Sequence, residues 1–413
     1  MIPVAALLFA GLLSTSAATG IGTQPDRSRA LPEAFGADVD ALCRLVTRRY
    51  AYYPSRKRSW RRGCNDAAAA AARVTDRRAG VAVLERLLDS LFDSHVSLGI
   101  NYSSGSPRLV PSGTDMAIDY RQGKFIIVGV RRGGSAARKG IRAGDRLVSL
   151  DGLSPGEAAR ARIQGANPRI TARQLKWAIN AAAAGYSGIS RTIKYSRAGM
   201  VREVTLDDPT PRAEGRLVTL RMLQGHIGYI RIEDSLGNAD TVAAFDKALA
   251  VLKSARAWVL DLRNTPSGGN TDVAEPVMGR FIAAAQPYQR VIPTGEKAYD
   301  RIVPPRGPWT ADGPLAVLVG RWTGSMGEGM AIGFDGMSRA RVIGSAMAGL
   351  AGGTESFVLP GTGIPVRFPT YDLAHIDGTP RHRWLPPLPV QADPGDSSDP
   401  ALAAATEWIL KQR

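Results

Sequence analysis

Cysteine and histidine are scarce in this chain, with two and four copies in 413 residues. A structural zinc site needs four closely spaced Cys or His ligands, so this inventory leaves no metal site and implies no cofactor. Long apolar runs are also missing: no stretch beyond the N-terminus reaches the roughly 20 apolar residues that span a bilayer. Acidic residues are in short supply, 37 against 53 Lys plus Arg, for a formal charge of +16. The excess is mostly scattered Arg, and its one dense cluster is Arg56-Lys57-Arg58 with Arg61 and Arg62, beside Tyr52, Tyr53 and Trp60. That pattern reads as the solvated face of an Arg-rich protein, and no nucleic-acid partner is expected. What is present, 44% hydrophobic against 22% charged residues, excludes a disordered chain and can build a large core. The length suggests two or three domains of ordinary size.

The first residues read as an export signal, assigned to residues 1–18. Val4 to Leu13 is a short apolar run, and Ser16-Ala17-Ala18 offers the small-x-small pattern that signal peptidases cleave after. No Lys or Arg precedes that run, the first basic residue being Arg27. The mature protein is expected to be soluble and periplasmic or secreted. In such an oxidising compartment Cys43 and Cys64 can close a disulfide across the segment between them; the alternative is two free buried thiols.

Residues 31–100 are expected to form a helical domain. Ala67 to Val74 is Ala-rich, and Val83, Leu84, Leu87, Leu88, Leu91 and Phe92 form one stripe of an amphipathic helix. That helix leads into Asp93-Ser94-His95-Val96 and so delivers a polar Ser-His pair from a packed element. Asn101 to Gly113 is a linker by composition. Beyond it, Ala117 to Tyr120 and Phe125 to Val130 read as strands flanking a turn at Gln122-Gly123. The segment from Gly134 to Gly152 follows, with Gly140-Ile141-Arg142-Ala143-Gly144-Asp145-Arg146-Leu147 and a closing Asp151-Gly152. It closely resembles the most recognisable stretch of PDZ domains. The resemblance implies a PDZ-like β module over residues 113–207. Such a module adds an extended peptide to an open sheet edge, with amides near Met116, Ala117 and Ile118 receiving its C-terminal carboxylate.

From about Arg216 the pattern becomes α/β. Ile227 to Ile232, Ala257 to Leu262 and Leu315 to Val319 read as strands, and Thr241 to Lys253 as a helix. Two strands run into Gly-rich loops that open helices: Asp261 to Asn270, and Gly320-Arg321-Trp322-Thr323-Gly324-Ser325-Met326-Gly327-Glu328. Both loops are expected at one edge of the sheet, where α/β proteins place ligands. A serine at a helix start between Gly324 and Gly327 suits acyl transfer, because the N–H groups there can receive an oxyanion. Read alone, the same serine is an ordinary helix N-cap.

Together, the helical segment, the PDZ-like stretch, the Asp261-Leu262-Arg263-Asn264 loop with Gly268-Gly269, and the serine loop ending in Glu resemble the tail-specific, or C-terminal processing, serine peptidases. The resemblance implies a multidomain α/β fold with a ClpP/crotonase-like peptidase core over residues 208–395 and a C-terminal helix over 396–413. It implies Ser325 as nucleophile, three residues before Glu328, and oxyanion donors at Gly268 or Gly269 and Met326. The family's Ser-Lys scheme places a lysine where Leu350 stands here, and no lysine occurs between Lys297 and Lys411. The tricorn-core-like branch instead uses a histidine in a D-x-H-type motif, which Asp93-Ser94-His95 matches. His95 is then the expected general base, titrating near the ordinary 6.5, with Ser94 as its orienting partner.

The third member departs from the pattern. Relatives carry Glu where His382 follows Gly378-Thr379-Pro380-Arg381, and another Glu where Tyr371 stands. Asp372 and Asp377 are the candidate replacements for the carboxylate, and His382 itself is the other candidate third member. The expected function is an exported serine endopeptidase acting on peptides or protein C-termini held by the PDZ-like groove. The alternative is a degenerate peptidase-like scaffold that binds peptides without turning them over.

Overall fold

A computed structural model of the chain describes residues 30–98, 107–163, 170–207, 215–390 and 398–412. The expected export signal, and residues 101–106 of the expected linker, lie outside the described residues. Three helices come first, α1 (Leu31–Arg49), α2 (Tyr53–Ala71) and α3 (Arg77–Asp89). Pro32 and Pro54 occupy first-turn positions where a missing N–H costs nothing, and Asp76 caps α3 by accepting the Ala79 N–H at 2.8 Å. Phe35, Val39, Leu42 and Val46 line one face of α1 and are buried. Gly80 on α3 has no side chain because the Phe35 ring stands 2.2 Å from where a Cβ would sit.

The same apolar cluster contains Leu359, Ile364, Val366 and Phe368 from far along the chain. Asp38, fully buried on α1, accepts the Gly361 N–H at 2.6 Å and also bonds the Thr362 hydroxyl. The helical segment therefore shares its core with the late part of the chain instead of closing one of its own.

The next unit is a five-stranded antiparallel sheet in sequential order: β1 (Met116–Arg121), β2 (Lys124–Val130), β3 (Arg146–Leu150), β4 (Arg191–Arg197) and β5 (Met200–Leu206). Helices α4 (Ser135–Arg138), α5 (Pro155–Ala161) and α6 (Ala172–Ala184) lie between its strands. The expected turn at Gln122-Gly123 joins β1 to β2, with φ of 48° and 78°, the paired positive values that suit the twist of a two-residue hairpin.

A six-stranded sheet then forms in the order β15-β12-β11-β8-β7-β6, parallel except at the β6–β7 edge. Its members, in chain order with the helices between them, are β6 (Val218–Leu223), β7 (Ile227–Ile232), α7 (Asp240–Val251), β8 (Ala257–Asp261) and α8 (Thr271–Met278). After β9 (Gln286–Pro293) and β10 (Tyr299–Val303) come β11 (Leu315–Val319), α9 (Met326–Gly336) and β12 (Arg341–Gly344). Strands β13 (Gly353–Val358) and β14 (Pro365–Ala374) precede β15 (Leu388–Pro389) and α10 (Pro400–Leu410). Strands β8 and β11 are buried at every residue, as continuous apolar strands covered on both faces must be. A separate four-stranded antiparallel sheet, β10-β9-β14-β13, connects this core to the N-terminal helices, and Ser97 pairs with Arg367 of β14. No described helix is long and apolar enough to cross a membrane.

Cys43 of α1 and Cys64 of α2 form a disulfide with Cα atoms 6.0 Å apart, which resolves the choice between bridge and free thiols. It closes a loop with a sequence separation of 21, so losing it should destabilise the chain by about 3 kcal/mol. Urea unfolding of the Cys43→Ser/Cys64→Ser variant is expected to show a lower midpoint with little change in slope. An unchanged midpoint would show that α1 and α2 are held by packing alone.

Candidate active site

The loops after β8 and β11 are zipped together. The hydroxyls of Thr265 and Thr323 both donate to the Leu262 carbonyl at 2.9 Å, the Thr265 N–H donates to Trp322 O at 3.0 Å, and the Gly324 N–H returns to Thr265 O at 3.2 Å. Gly324 must be glycine, since a Cβ there would stand 2.6 Å from the Pro266 carbonyl oxygen. The chain then turns sharply into α9 through Ser325, whose φ of 48° is unfavourable for a residue with a side chain and costs on the order of 1–3 kcal/mol. The turn projects Ser325 away from the loop backbone at the start of a buried helix.

His95 meets it from the other end of the chain. The imidazole Nε2 lies 3.1 Å from Ser325 Oγ, and Nδ1 lies 2.7 Å from the Ala351 carbonyl oxygen. A carbonyl only accepts, so Nδ1 must carry the proton and Nε2 of the neutral ring must be the bare nitrogen facing the hydroxyl. The His95 backbone is fixed in turn, because its N–H donates to Asp93 Oδ1 at 2.9 Å while Tyr50 Oη donates to Oδ2 at 2.8 Å.

Glu328, with no exposed surface, holds the two sides together. Its carboxyl accepts the N–H groups of Ser325 at 2.8 Å, Gly349 at 2.9 Å and Leu350 at 3.1 Å. Buried Arg381 then reaches the carbonyls on either side of Ala351, donating to Leu350 O at 3.0 Å and Gly352 O at 2.7 Å. The acceptor for His95 is thus clamped from both flanks. Burial pushes Glu328 up to about 7 against the opposing pull of Arg381 and its three N–H donors. Burial, with the Arg381 charge second, drives His95 down to about 4.

Gly268, with φ of 66°, lies against the serine: a Cβ there would be 2.4 Å from Ser325 Cβ and 3.1 Å from Met326 N. Its own N–H is used, donating to Thr265 O at 3.0 Å. Among the described residues the N–H groups of Gly269 and Met326 have no such acceptor, which leaves these two available for an oxyanion.

The other expected partners lie elsewhere. Ser94 makes no hydrogen bond among the described residues and does not orient the ring; Ala351 O occupies that position, a backbone acceptor with no signature in side-chain identity. Asp372 accepts from the Tyr52 hydroxyl and its own neighbour Leu373 N–H, and exposed Asp377 bonds His375 Nδ1 at 3.0 Å. His382 stacks edge-on to Tyr52 with ring centres 5.7 Å apart. None of the three is hydrogen-bonded to His95. Leu350, at the lysine position of the alternative scheme, is a buried apolar side chain. Arg381 was legible within Gly378-Thr379-Pro380-Arg381, but its task depends on a fold that brings residues 350–352 beneath it.

The five-stranded module docks on the serine loop. Trp322 Nε1 donates to Thr114 O at 3.1 Å, and buried Arg131 donates to Asn264 Oδ1 at 2.8 Å. Met116, Ala117 and Ile118, whose amides are the expected peptide-binding donors, are all buried, and the Ile118 amide is already engaged. Asn180 of α6 accepts the Ile118 N–H at 3.0 Å and donates to Ile118 O at 2.7 Å, and the Thr114 hydroxyl donates to Met116 O at 2.9 Å. Side chains of the chain itself fill the edge that an added peptide strand would use.

Residues 226–385 match the model of peptidase family S41. The chain is 27% identical over 186 residues to a carboxy-terminal processing protease, CtpB, of Bacillus subtilis, covering 43% of this chain and 34% of that protein. It is 26% identical over 268 residues to a carboxyl-terminal-processing protease of Picosynechococcus sp., covering 63% of this chain and 58% of that protein. The chain thus spans between about a third and somewhat over half of these relatives' length. Among solved structures, mature CPAF superposes with a TM-score of 0.60 at 15% identity, covering 92% of this chain and 96% of that one. The photosystem II D1 C-terminal processing protease gives 0.54 at 18% identity, covering 86% and 93%. At these identities the likeness is one of fold.

The half-buried His95 imidazole sets a pH dependence for the Ser325 hydroxyl that it faces. Burial and the Arg381 charge hold His95 at about 4, below the expected 6.5, so the Ser325 hydroxyl faces a bare Nε2 from that lower pH upward. The rate at which a fluorophosphonate labels Ser325 is expected to rise through an apparent pKa well below 6 and then level. Arg381→Met should move that limb upward, because it removes a cation that disfavours the imidazolium. A wild-type limb at 6.5 or above would mean that the ring is neither desolvated nor set against Arg381 as the structure has it.

Proposed function

We propose that this chain, whose residues 226–385 match peptidase family S41, is a serine endopeptidase of the tail-specific type acting on peptide or protein substrates. The observation that carries the reading is the 3.1 Å approach of His95 Nε2 to Ser325 Oγ with the ring tautomer set by Ala351. In this reading Ser325 Oγ attacks the scissile carbonyl and its proton passes to Nε2. The carbonyl oxygen becomes an oxyanion bound by the Gly269 and Met326 N–H groups. His95 returns the proton to the leaving amine as the C–N bond breaks, which leaves an acyl ester on Ser325. Water then attacks that ester with His95 as base, releasing the acid and restoring the hydroxyl.

The base is unusual in having a neutral carbonyl where a carboxylate would stabilise the imidazolium, and Arg381 opposes the same charge. This observation favours a second reading, a peptide-binding scaffold with little or no turnover. The disulfide between Cys43 and Cys64 and the apolar start of the chain support export to an oxidising compartment.

Ser325→Ala should abolish peptide hydrolysis while leaving thermal stability nearly unchanged, since the side chain removed is small. His95→Ala is expected to lower kcat/KM by on the order of 10⁴-fold. Gly268→Ala should also silence the protein, because its Cβ would stand 2.4 Å from that of Ser325. Steady-state kinetics on a fluorogenic peptide library, beside fluorophosphonate labelling, tests all three. Residual hydrolysis in Ser325→Ala at the wild-type rate would end the serine-peptidase reading, and a wild type that labels without turning over would favour the scaffold.

A further inference from the structure

A cavity of about 480 Å³ opens between α2 and α3 of the helical segment and α5 and α6 of the β module. Its apolar wall includes Ala67, Ala70, Val83, Leu87, Phe92 and Ile163. Arg56, Arg58, Arg62 and Arg86 stand around that wall, and none of their guanidinium groups has an ion-pair or hydrogen-bond partner among the described residues. Arg162 lines it too but is occupied, pairing Asp89 at 3.0 Å and donating to the Tyr186 hydroxyl at 3.0 Å. Of the acidic groups at the cavity, Asp89 is therefore neutralised by its own partner and exposed Asp66 is the remaining negative charge. The cluster that reads in sequence as a solvated basic face is one wall of a cleft.

We infer that this cleft is an exosite for an acidic, apolar-containing segment of a protein substrate, an inference that rests on the peptidase reading. Three observations support it. The cleft adjoins the base: Phe92 lines it, and the Arg56 charge acts on Asp93, the residue that fixes the His95 backbone. Asn180 occupies both backbone groups of Ile118 at the edge of β1, so strand addition there would have to displace it. The chemistry is mixed, with unpaired guanidinium groups around an apolar wall, and this matches a chain that alternates carboxylate and aliphatic side chains. A bare phosphate would have no use for the apolar wall. A nucleic-acid strand would want stacking platforms, and the one aromatic ring lining the cleft, Phe92, already packs edge-on against Trp177 at 5.4 Å.

The test uses the full chain carrying Ser325→Ala, so that nothing is cut, and a short fluorescein-labelled peptide of alternating Glu and Leu. Fluorescence polarisation should show binding that weakens with added salt, and no binding of the matching Lys-Leu peptide. Arg58→Glu with Arg62→Glu should weaken the Glu-Leu peptide by about tenfold or more, whereas Arg58→Lys with Arg62→Lys keeps the charge and should retain most of the affinity. Equal binding by the Glu and Lys variants would overturn the inference, as would competition by polyphosphate or a single-stranded oligonucleotide at the peptide's own affinity. Fluorophosphonate labelling of the unsubstituted serine is measured separately. An unreactive Ser325 would remove the peptidase reading, and absent peptide binding beside a reactive Ser325 would remove the exosite alone.

Discussion

The carboxyl of Glu328 is the point on which the site depends. A carboxyl with no contact with water is costly unless its oxygens are occupied, and here they receive N–H groups from two separate segments. One is the strained turn at Ser325, which would otherwise relax toward an ordinary helix entry. The other is the run at Gly349 and Leu350, next to the Ala351 carbonyl that sets the imidazole tautomer. The same group therefore positions Ser325 directly and His95 indirectly. Arg381 completes the arrangement by holding the neighbouring carbonyls, and its charge bears on both ionisable partners, lowering His95 and Glu328 alike.

Docking of the β module extends the same logic outward. Trp322 lies three residues before the serine and donates to Thr114, just before β1, while Arg131, just after β2, holds Asn264 in the companion loop. The module thus braces both loops that form the site, and the Trp322 ring lies beside Gly129 of β2. With Asn180 closing the edge of β1, its visible mechanical role is support of the serine loop. Opening that edge would require α6 to give up its bonds to Ile118.

Local signals were legible in the sequence wherever a single segment carries its own geometry. The Gln122-Gly123 hairpin, the buried strands β8 and β11, and the two Gly-rich loops at one sheet edge all follow from residues adjacent in the chain. Ser325 and His95 could be singled out because their neighbours, Gly324, Gly327 and Asp93, have short-range reasons to be there. Illegible were the contacts made by backbone. No residue type announces that the carbonyl at position 351 will face an imidazole, whereas Asp372 and Asp377, the carboxylates nearest in sequence to the missing Glu, serve Tyr52 and His375 instead. The depressed titration of His95 was missed for a related reason, because burial depends on which strands cover the ring. The open peptide groove failed on a single distant side chain, Asn180, whose amide imitates a strand.

The shared core of the N-terminal helices and strands β13–β14 has a consequence for the order in which the chain comes into being. His95 and Ser325 are 230 residues apart, and the helices that carry the histidine cannot bury Phe35, Leu42 or Leu84 fully until Val366 and Phe368 have been made. Arg381, which steadies the acceptor for the ring, is made later still. A nascent chain of this design carries His95 long before Ser325, and Ser325 before the strands that seat the helices bearing His95. The approach of His95 to Ser325 is therefore completed only once synthesis has passed β14 and Arg381, so the two ends of the chain must both be made before the pair can form.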